Sequence, residues 1–152
     1  LHAVAYATGE VLAGVTRAVL ACLVVMGIGM LGGIQIAYGA PGLWLALLLN
    51  AWFFSSLAVA LAMHVKAHAD QALLSSFVIT PMAFLGGTFF PLDRLPGWAQ
   101  HVLELLPLPH AAQAMQAAAI GQPVRFLSYG LLFLGAGAAF AWAILSVRSA
   151  QG

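Results

Sequence analysis

Four stretches of the chain are apolar on every face and close to twenty residues long: 11–33, 43–63, 72–90 and 126–147. The hydrocarbon core of a bilayer is about 30 Å thick and takes roughly 20 helical residues to cross. Each stretch therefore predicts a membrane-spanning helix. The first carries one charge, Arg17, near its start. The second is uncharged, with Asn50, Ser55 and Ser56 as its polar groups. The third is interrupted by Pro81, and the fourth stops at Arg148. None alternates with a period of two, so a membrane β-barrel is excluded. The predicted fold is all-α, a polytopic bundle of four transmembrane helices.

Between the spans the pattern changes. Gln35, Tyr38, Gly39, Pro41 and Gly42 predict a short turn, and residues 64–71 (HVKAHADQ) a polar break. Residues 91–125 hold five prolines, Pro91, Pro96, Pro107, Pro109 and Pro123, yet they are not plain loop. From 95 to 106 the residues Leu95, Trp98, Val102, Leu103 and Leu106 recur at helical spacing, with Gln100, His101 and Glu104 on the other side. That is a short amphipathic helix, opened by Pro96 and ended by Pro107. A second, alanine-rich helix is predicted over 110–120, preceded by Pro109 and stopped by Gly121. Both are too short to cross a bilayer and are expected at its surface or dipping into it against protein. Trp98 suits the interface.

Alternating spans put the 34–42 turn and the 91–125 segment on one side, and both ends with the 64–71 loop on the other. The second group holds Arg17, Lys66 and Arg148, the first Arg94 and Arg125. This positive-inside bias of three against two favours a cytoplasmic C-terminus.

Composition narrows the function classes. The chain of 152 residues is 63% hydrophobic and 6% charged, where a soluble domain averages about 25% charged residues. So few charges cannot cover a surface against water. No basic run is present to bind nucleic acid. Cys22, the single cysteine, lies in an apolar run and is expected to pack as a small hydrophobe. The chain starts at Leu1 without a signal-peptide pattern and is expected to be the C-terminal part of a longer protein.

Candidate chemistry is sparse. No G-x-x-x-x-G-K-[ST] stretch occurs, so ATP-driven work needs a partner subunit or a further domain. His64 and His68 stand four apart with Asp70 nearby, a spacing seen in zinc sites. The H-E-x-x-H glutamate is absent, however, and Lys66 adds a repelling charge, so 64–71 reads as a solvated loop that touches a cytoplasmic partner. Glu10 and Arg17 share a helix face two turns apart, within stretched reach of an ion pair. Arg17 is otherwise expected to snorkel to the headgroups. Asn50, Ser55 and Ser56 either line a polar path or bond between helices. Gly29 with Gly33, and Gly135 with Ala139, have the small-x-x-x-small spacing that permits close helix packing. Pro81, followed by Gly86 and Gly87, kinks the third span, either as a moving part or as a fixed bend.

One stretch is more specific than these. Residues 77–124, FVITPMAFLGGTFFPLDRLPGWAQHVLELLPLPHAAQAMQAAAIGQPV, contain Pro81, Gly86-Gly87, Phe89-Phe90-Pro91, Leu95-Pro96, Leu106-Pro107-Leu108 with His110, and Gly121 with Pro123. In order and spacing they resemble type-2 ABC exporter permeases, the family of nodulation lipo-oligosaccharide, daunorubicin-type drug and polysaccharide exporters. The L-P-L-x-H form is most similar to the nodulation and drug-export branches. Residues 8–33 are similar to that family's third span. The departures are Gly86, where the family often has serine, and Gln113 and Gln116, where some members carry an acid and an arginine.

The resemblance implies a six-span permease of the bacterial inner membrane with both ends cytoplasmic. The spans here correspond to its third to sixth. It implies re-entrant external helices that form a gate, carried here by Gly87, Phe90, Pro91, Pro96, Pro107, His110 and Gly121. A path lined by Asn50, Ser55, Ser56 and Pro81 is expected inside. It further implies a second permease copy, membrane lipid around the pair, and separate ATPase subunits that hold ATP and Mg, with no cofactor on this chain. The main ATPase-docking helix precedes the third span, so residues 1–10 correspond to its tail, and Lys66, His68 and Asp70 to a smaller ATPase contact. The expected function is export of an amphiphile, glycolipid, polysaccharide or drug. The alternative is a polytopic membrane enzyme using His101 and His110 at the lipid interface; it lacks a nucleophile–base pair or paired acids. A third reading is a membrane subunit that packs and moves nothing.

Overall fold

The structure, a computed structural model, describes residues 2–35, 37–64, 76, 96–98, 101, 107–122 and 126–151. Among these there are four helices of substantial length and no strand: α1 (Ala3–Leu31), α2 (Pro41–His64), α3 (Pro107–Ala119) and α4 (Phe126–Gln151). Three of them, α1, α2 and the Phe126–Ser149 part of α4, are long and apolar enough to cross a membrane. The predicted third span, with Pro81, lies outside the described residues.

The first helix begins eight residues earlier than its apolar run predicts. Residues 3–10 (AVAYATGE) are good helix formers apart from Gly9, and Ala3, Ala7 and Val11 form one buried stripe at i, i+4, i+8. Tertiary contact extends the helix beyond the membrane-length segment. These residues run unbroken into α1. At 29 residues α1 is about 44 Å long, more than the hydrocarbon thickness, so it projects or tilts.

Two helices end in the same way for the same reason. After α1, Gly33 takes φ +78°, its N–H bonds Met30 O, and Ile34 N–H reaches back to Gly29 O at 3.0 Å. After α3, Gly121 takes φ +73°, its N–H bonds Ala118 O, and Gln122 N–H reaches Ala117 O at 2.8 Å. Both are Schellman caps, which satisfy terminal carbonyls that a bilayer interior would leave costly. Gly33 is therefore a cap that lies past the end of α1. Gly121→Ala is expected to cost about 1 kcal/mol, read as a lower melting temperature of the detergent-solubilised protein.

Packing fixes the order of the helices along the membrane normal. Ala3 and Ala7 of α1 cluster with Val147 of α4, joined by Val59 and Met63 of α2. So the start of α1 and the ends of α2 and α4 meet at one end. At the opposite end the Tyr129 hydroxyl donates to Gly42 O at 3.0 Å, tying the start of α4 to the start of α2. Thus α2 and α4 run parallel, and α1 antiparallel to both. Between them Trp52 packs edge-on against Phe133 and tilted against Phe140, and Phe53 lies 3.5 Å from the position of a Cβ on Gly135. Ala139 is also buried, so the predicted small-residue spacing on α4 does face a neighbour. Much of α1 beyond Val15 stays exposed, Leu20, Val24, Val25 and Ile28 among it, which suits lipid and not water.

Candidate functional site

The most informative geometry is at the end where α2 and α4 begin. There α3 presents Ala111, Ala114 and Ala118, all nearly inaccessible, as one face at i, i+3, i+7. Ala111 clusters with Leu49 of α2 and Leu132 of α4, with Trp52 and Tyr129 around them. Ala118 lies beside Gly42. Leu49 is eight residues into α2, about 12 Å below its start. Helix α3 therefore lies antiparallel along the first turns of α2, with its early part sunk into the bundle and its end at the surface. Only methyl side chains on its inner face allow so close a seat.

The surface end of α3 is held by the turn between α1 and α2. The Ala37 N–H donates to Ala119 O at 2.8 Å, which satisfies one of the last carbonyls of α3. The turn itself is braced twice: the Tyr38 hydroxyl donates to Met26 O at 3.1 Å, and the Trp44 indole N–H to Tyr38 O at 2.9 Å. The 34–42 turn and the end of the 91–125 segment thus share a face of the bundle. Tyr38 and Trp44 place amphipathic rings where interfacial aromatics belong.

Of the residues expected to form the gate, Pro107, His110 and Gly121 belong to this cap. Helix α3 starts at Pro107, three residues before the predicted start. Proline fits a first turn because its missing N–H is not needed there, so Pro107 and Pro109 begin this helix and do not merely precede it. His110 is half-buried in that turn. Pro96 is exposed and non-helical, ahead of helical Gly97 and Trp98, and Trp98 is 74% exposed. The His101 ring lies 2.6 Å from Gly97 O, one helical turn back. Gly87, Phe90 and Pro91 lie outside the described residues, as do Lys66, His68 and Asp70 of the expected ATPase contact. His64, before that loop, bonds Ala60 O through Nδ1 and lies 5.7 Å from the Trp142 ring.

The polar residues of α2 stand in separate directions around the helix. Thr8, Thr16, Ser146 and Ser149 each donate to the carbonyl four residues back in their own helix, a common way to satisfy a hydroxyl in apolar surroundings. Ser56 Oγ and Asn50 Oδ1 do not; both are buried without a hydrogen-bond partner among the described residues. Ser55 faces α1, where its Oγ is 2.5 Å from the position of a Cβ on Gly14. Positions 50, 55 and 56 are about 140° and 100° apart at 100° per residue, so the structure does not align them on one face. Ser55 is a helix–helix contact that sequence reasoning left open, and Gly14 is the partner it missed. Ser56→Ala is expected to be neutral or to stabilise by up to about 1 kcal/mol, because it removes an unsatisfied buried hydroxyl; thermal unfolding in detergent reads this directly. Glu10 and Arg17 form no ion pair with each other and instead line one groove between α1 and α2. An apolar groove of about 400 Å³, bordered by Val11, Leu12, Leu45, Leu48, Trp52 and Phe140, opens elsewhere on the same helix pair.

Comparison with known proteins agrees with this architecture. Nodulation protein J of Rhizobium meliloti (strain 1021) is 31% identical over 120 residues, which cover 76% of this chain and 44% of that protein. Nodulation protein J of Neorhizobium galegae is 35% identical over 83 residues, 55% of this chain and 30% of that protein. The inner membrane transport permease YadH of Escherichia coli (strain K12) is 31% identical over 77 residues, 51% of this chain and 30% of that protein. The chain thus spans less than half the length of these relatives. No solved structure matches it. The family model described as ABC-2 type transporter matches residues 1–120, and with three helices long and apolar enough to cross a membrane, the chain belongs to the ABC-2 type transporter family as an integral membrane protein.

Proposed function

We propose that the chain is the C-terminal portion of the membrane subunit of an ATP-driven exporter in the bacterial inner membrane, with its C-terminus in the cytoplasm. The observation that carries this reading is α3, a helix too short to span, sunk between α2 and α4 at one end of the bundle and latched by Ala37 to the adjacent turn. Such a wedge closes one end of a path between spans while leaving the other end to a partner. Permease similarity over residues 1–120 supports the same reading. The described residues hold no phosphate-cradling loop, so the energy is supplied by a separate ATPase subunit that binds ATP and Mg. Two permease copies pair around the path. The cargo is an amphiphile, glycolipid, polysaccharide or drug, moved out when ATP binding draws the other ends of the spans together.

The test uses the full-length permease and a neighbouring gene whose product carries G-x-x-x-x-G-K-[ST]. Affinity purification of the permease from membranes is expected to bring down that ATPase. Inside-out vesicles holding both are expected to accumulate cargo only with ATP and Mg. A permease that never recovers an ATPase, or vesicles indifferent to ATP, overturn the proposal. Reporter fusions at Arg148 active only in the cytoplasm are expected from the orientation.

A further inference from the structure

We propose that the groove between α1 and α2 at the level of Glu10 and Arg17 is a binding site for a zwitterionic headgroup carrying a phosphate and an amine, as in an aminophospholipid of the adjacent leaflet.

The groove has a volume of about 440 Å³. Glu10, Gly14 and Arg17 lie on one stripe of α1 at i, i+4, i+7. Gly14 contributes no side chain, and Ser55 presses directly onto it. The middle of the stripe is therefore closed by the Gly14–Ser55 contact, and the groove beside it has an acid at one end and a base at the other. The opposite wall is made by Phe54, Ala58, Val59 and Ala62 of α2, and the two alanines leave room where larger residues would fill it.

Neither charge is consumed by the fold. Glu10 and Arg17 are both exposed, and no ion pair joins them. Their backbones are about 10 Å apart along the axis, since seven residues rise at 1.5 Å each. A charge held below the surface of a bilayer costs roughly 2.5–3.5 kcal/mol at mid-depth unless it is paired or snorkels. Arg17 is the deeper of the two, because α1 enters the membrane from its N-terminal end, and helical side chains lean toward that end. The guanidinium thus points toward the headgroup layer and Glu10 stands closer to water. In a bilayer the phosphate of a zwitterionic lipid lies deeper than its amine. The order of charges in the groove, base below acid, matches that order. Arg17 offers a bidentate fork to phosphate oxygens, Glu10 accepts from the ammonium, and Phe54, at the deep end, meets the start of the acyl chains.

The experiment uses the full-length permease reconstituted in nanodiscs of mixed phosphatidylethanolamine and phosphatidylglycerol, extracted in mild detergent, with retained lipid measured by native mass spectrometry. The wild type is expected to retain phosphatidylethanolamine in preference. Arg17→Gln is expected to lose about tenfold in retained phospholipid, the weight of one charge-assisted contact. Glu10→Gln is expected to keep phospholipid but lose the preference for the amine. Ala58→Phe, at an exposed position, fills the groove with both charges intact and is expected to lose the lipid. All three sites are exposed, so melting temperatures are expected to match the wild type. Equal retention and equal preference in all three variants overturns the proposal. Repeating the measurement with the ATPase partner separates two sources of the same headgroup: lipid retained through ATP turnover is a resident of the bilayer, and lipid released by turnover is cargo. Both require Arg17 and Glu10, so the site stands or falls apart from the exporter reading.

Discussion

Replacing Gly14 with leucine is expected to push α1 away from α2 and to lower the melting temperature of the solubilised permease more than any exposed substitution on α1. A Cβ at position 14 already falls 2.5 Å from Ser55 Oγ and 2.9 Å from Ser55 Cβ. Real Cβ atoms do not approach so closely. Serine has no flexible end to swing aside, because its Cβ is fixed to the backbone, so the helices themselves must separate. Overpacking of this kind costs about 1–3 kcal/mol. In lipid the cost is not repaid by burying more apolar surface, since lipid tails are as apolar as leucine and close packing is what holds spans together. The rescue is specific. Gly14→Ala is expected to lose stability in the same sense, and Gly14→Ala with Ser55→Gly, which moves the one small residue from α1 to α2, is expected to recover most of that loss, less about 1 kcal/mol for glycine within a helix. If Gly14→Leu melts with the wild type, the helix contact at Ser55 is not as described. The comparison site is Gly27, where a Cβ meets nothing within 4 Å; Gly27→Ala is expected to leave the melting temperature unchanged or to raise it.

The difference between Gly14 and Gly27 shows where sequence reading ends. Both are glycines in the same apolar run, and nothing nearby in the chain separates them. What was legible was set by local rules. Apolar length gave α1, α2 and α4, and the need for a left-handed residue after a helix identified Gly121. The small-x-x-x-small rule found Gly135 with Ala139, but it did not reveal that Gly33 caps α1, because spacing alone cannot tell a packing glycine from a capping one. Element starts were set by tertiary contact. The first two turns of α1 are helical because Ala3 and Ala7 pack on Val147, 140 or more positions away, and no window along the sequence contains both sides of that contact. The sequence predicts Pro107 as the end of the preceding helix, whereas the structure starts α3 there. The unpaired Ser56 and Asn50 were singled out as polar, but their lack of hydrogen-bond partners depends on what surrounds α2. The same holds for Glu10 and Arg17: periodicity places them on one face, and the groove beside them depends on how α2 packs against α1 at Gly14 and Ser55.

Enlarging Ala111 to leucine is expected to unseat α3 and, on the proposed function, to abolish export while the long helices remain inserted. Ala111 is 1% exposed and Leu132, which it meets, is 0% exposed. Interiors packed to this density have no room for three further carbon atoms. The added bulk falls on Leu49 and Leu132, the two residues that fix the depth of α3, and costs about 1–3 kcal/mol. Among the described residues α3 is held by that alanine face and the Ala37–Ala119 hydrogen bond, so a cost of this size weighs heavily on its attachment. The long spans keep their own contacts at Trp52, Phe133 and Phe140. Leu132→Ala acts in the opposite sense, leaving a cavity under α3. In water such truncations cost about 2–5 kcal/mol, and in a bilayer the packing part of that remains after the transfer part is lost. The two changes together restore the summed volume, so Ala111→Leu with Leu132→Ala is expected to recover stability and latching better than either alone. Cysteine accessibility at Ala118, 2% exposed on the inner face of α3, reports its seat: it is expected to stay low in the double variant and to rise in Ala111→Leu. Unchanged accessibility and export in Ala111→Leu, with normal membrane levels, would show that α3 does not close the path.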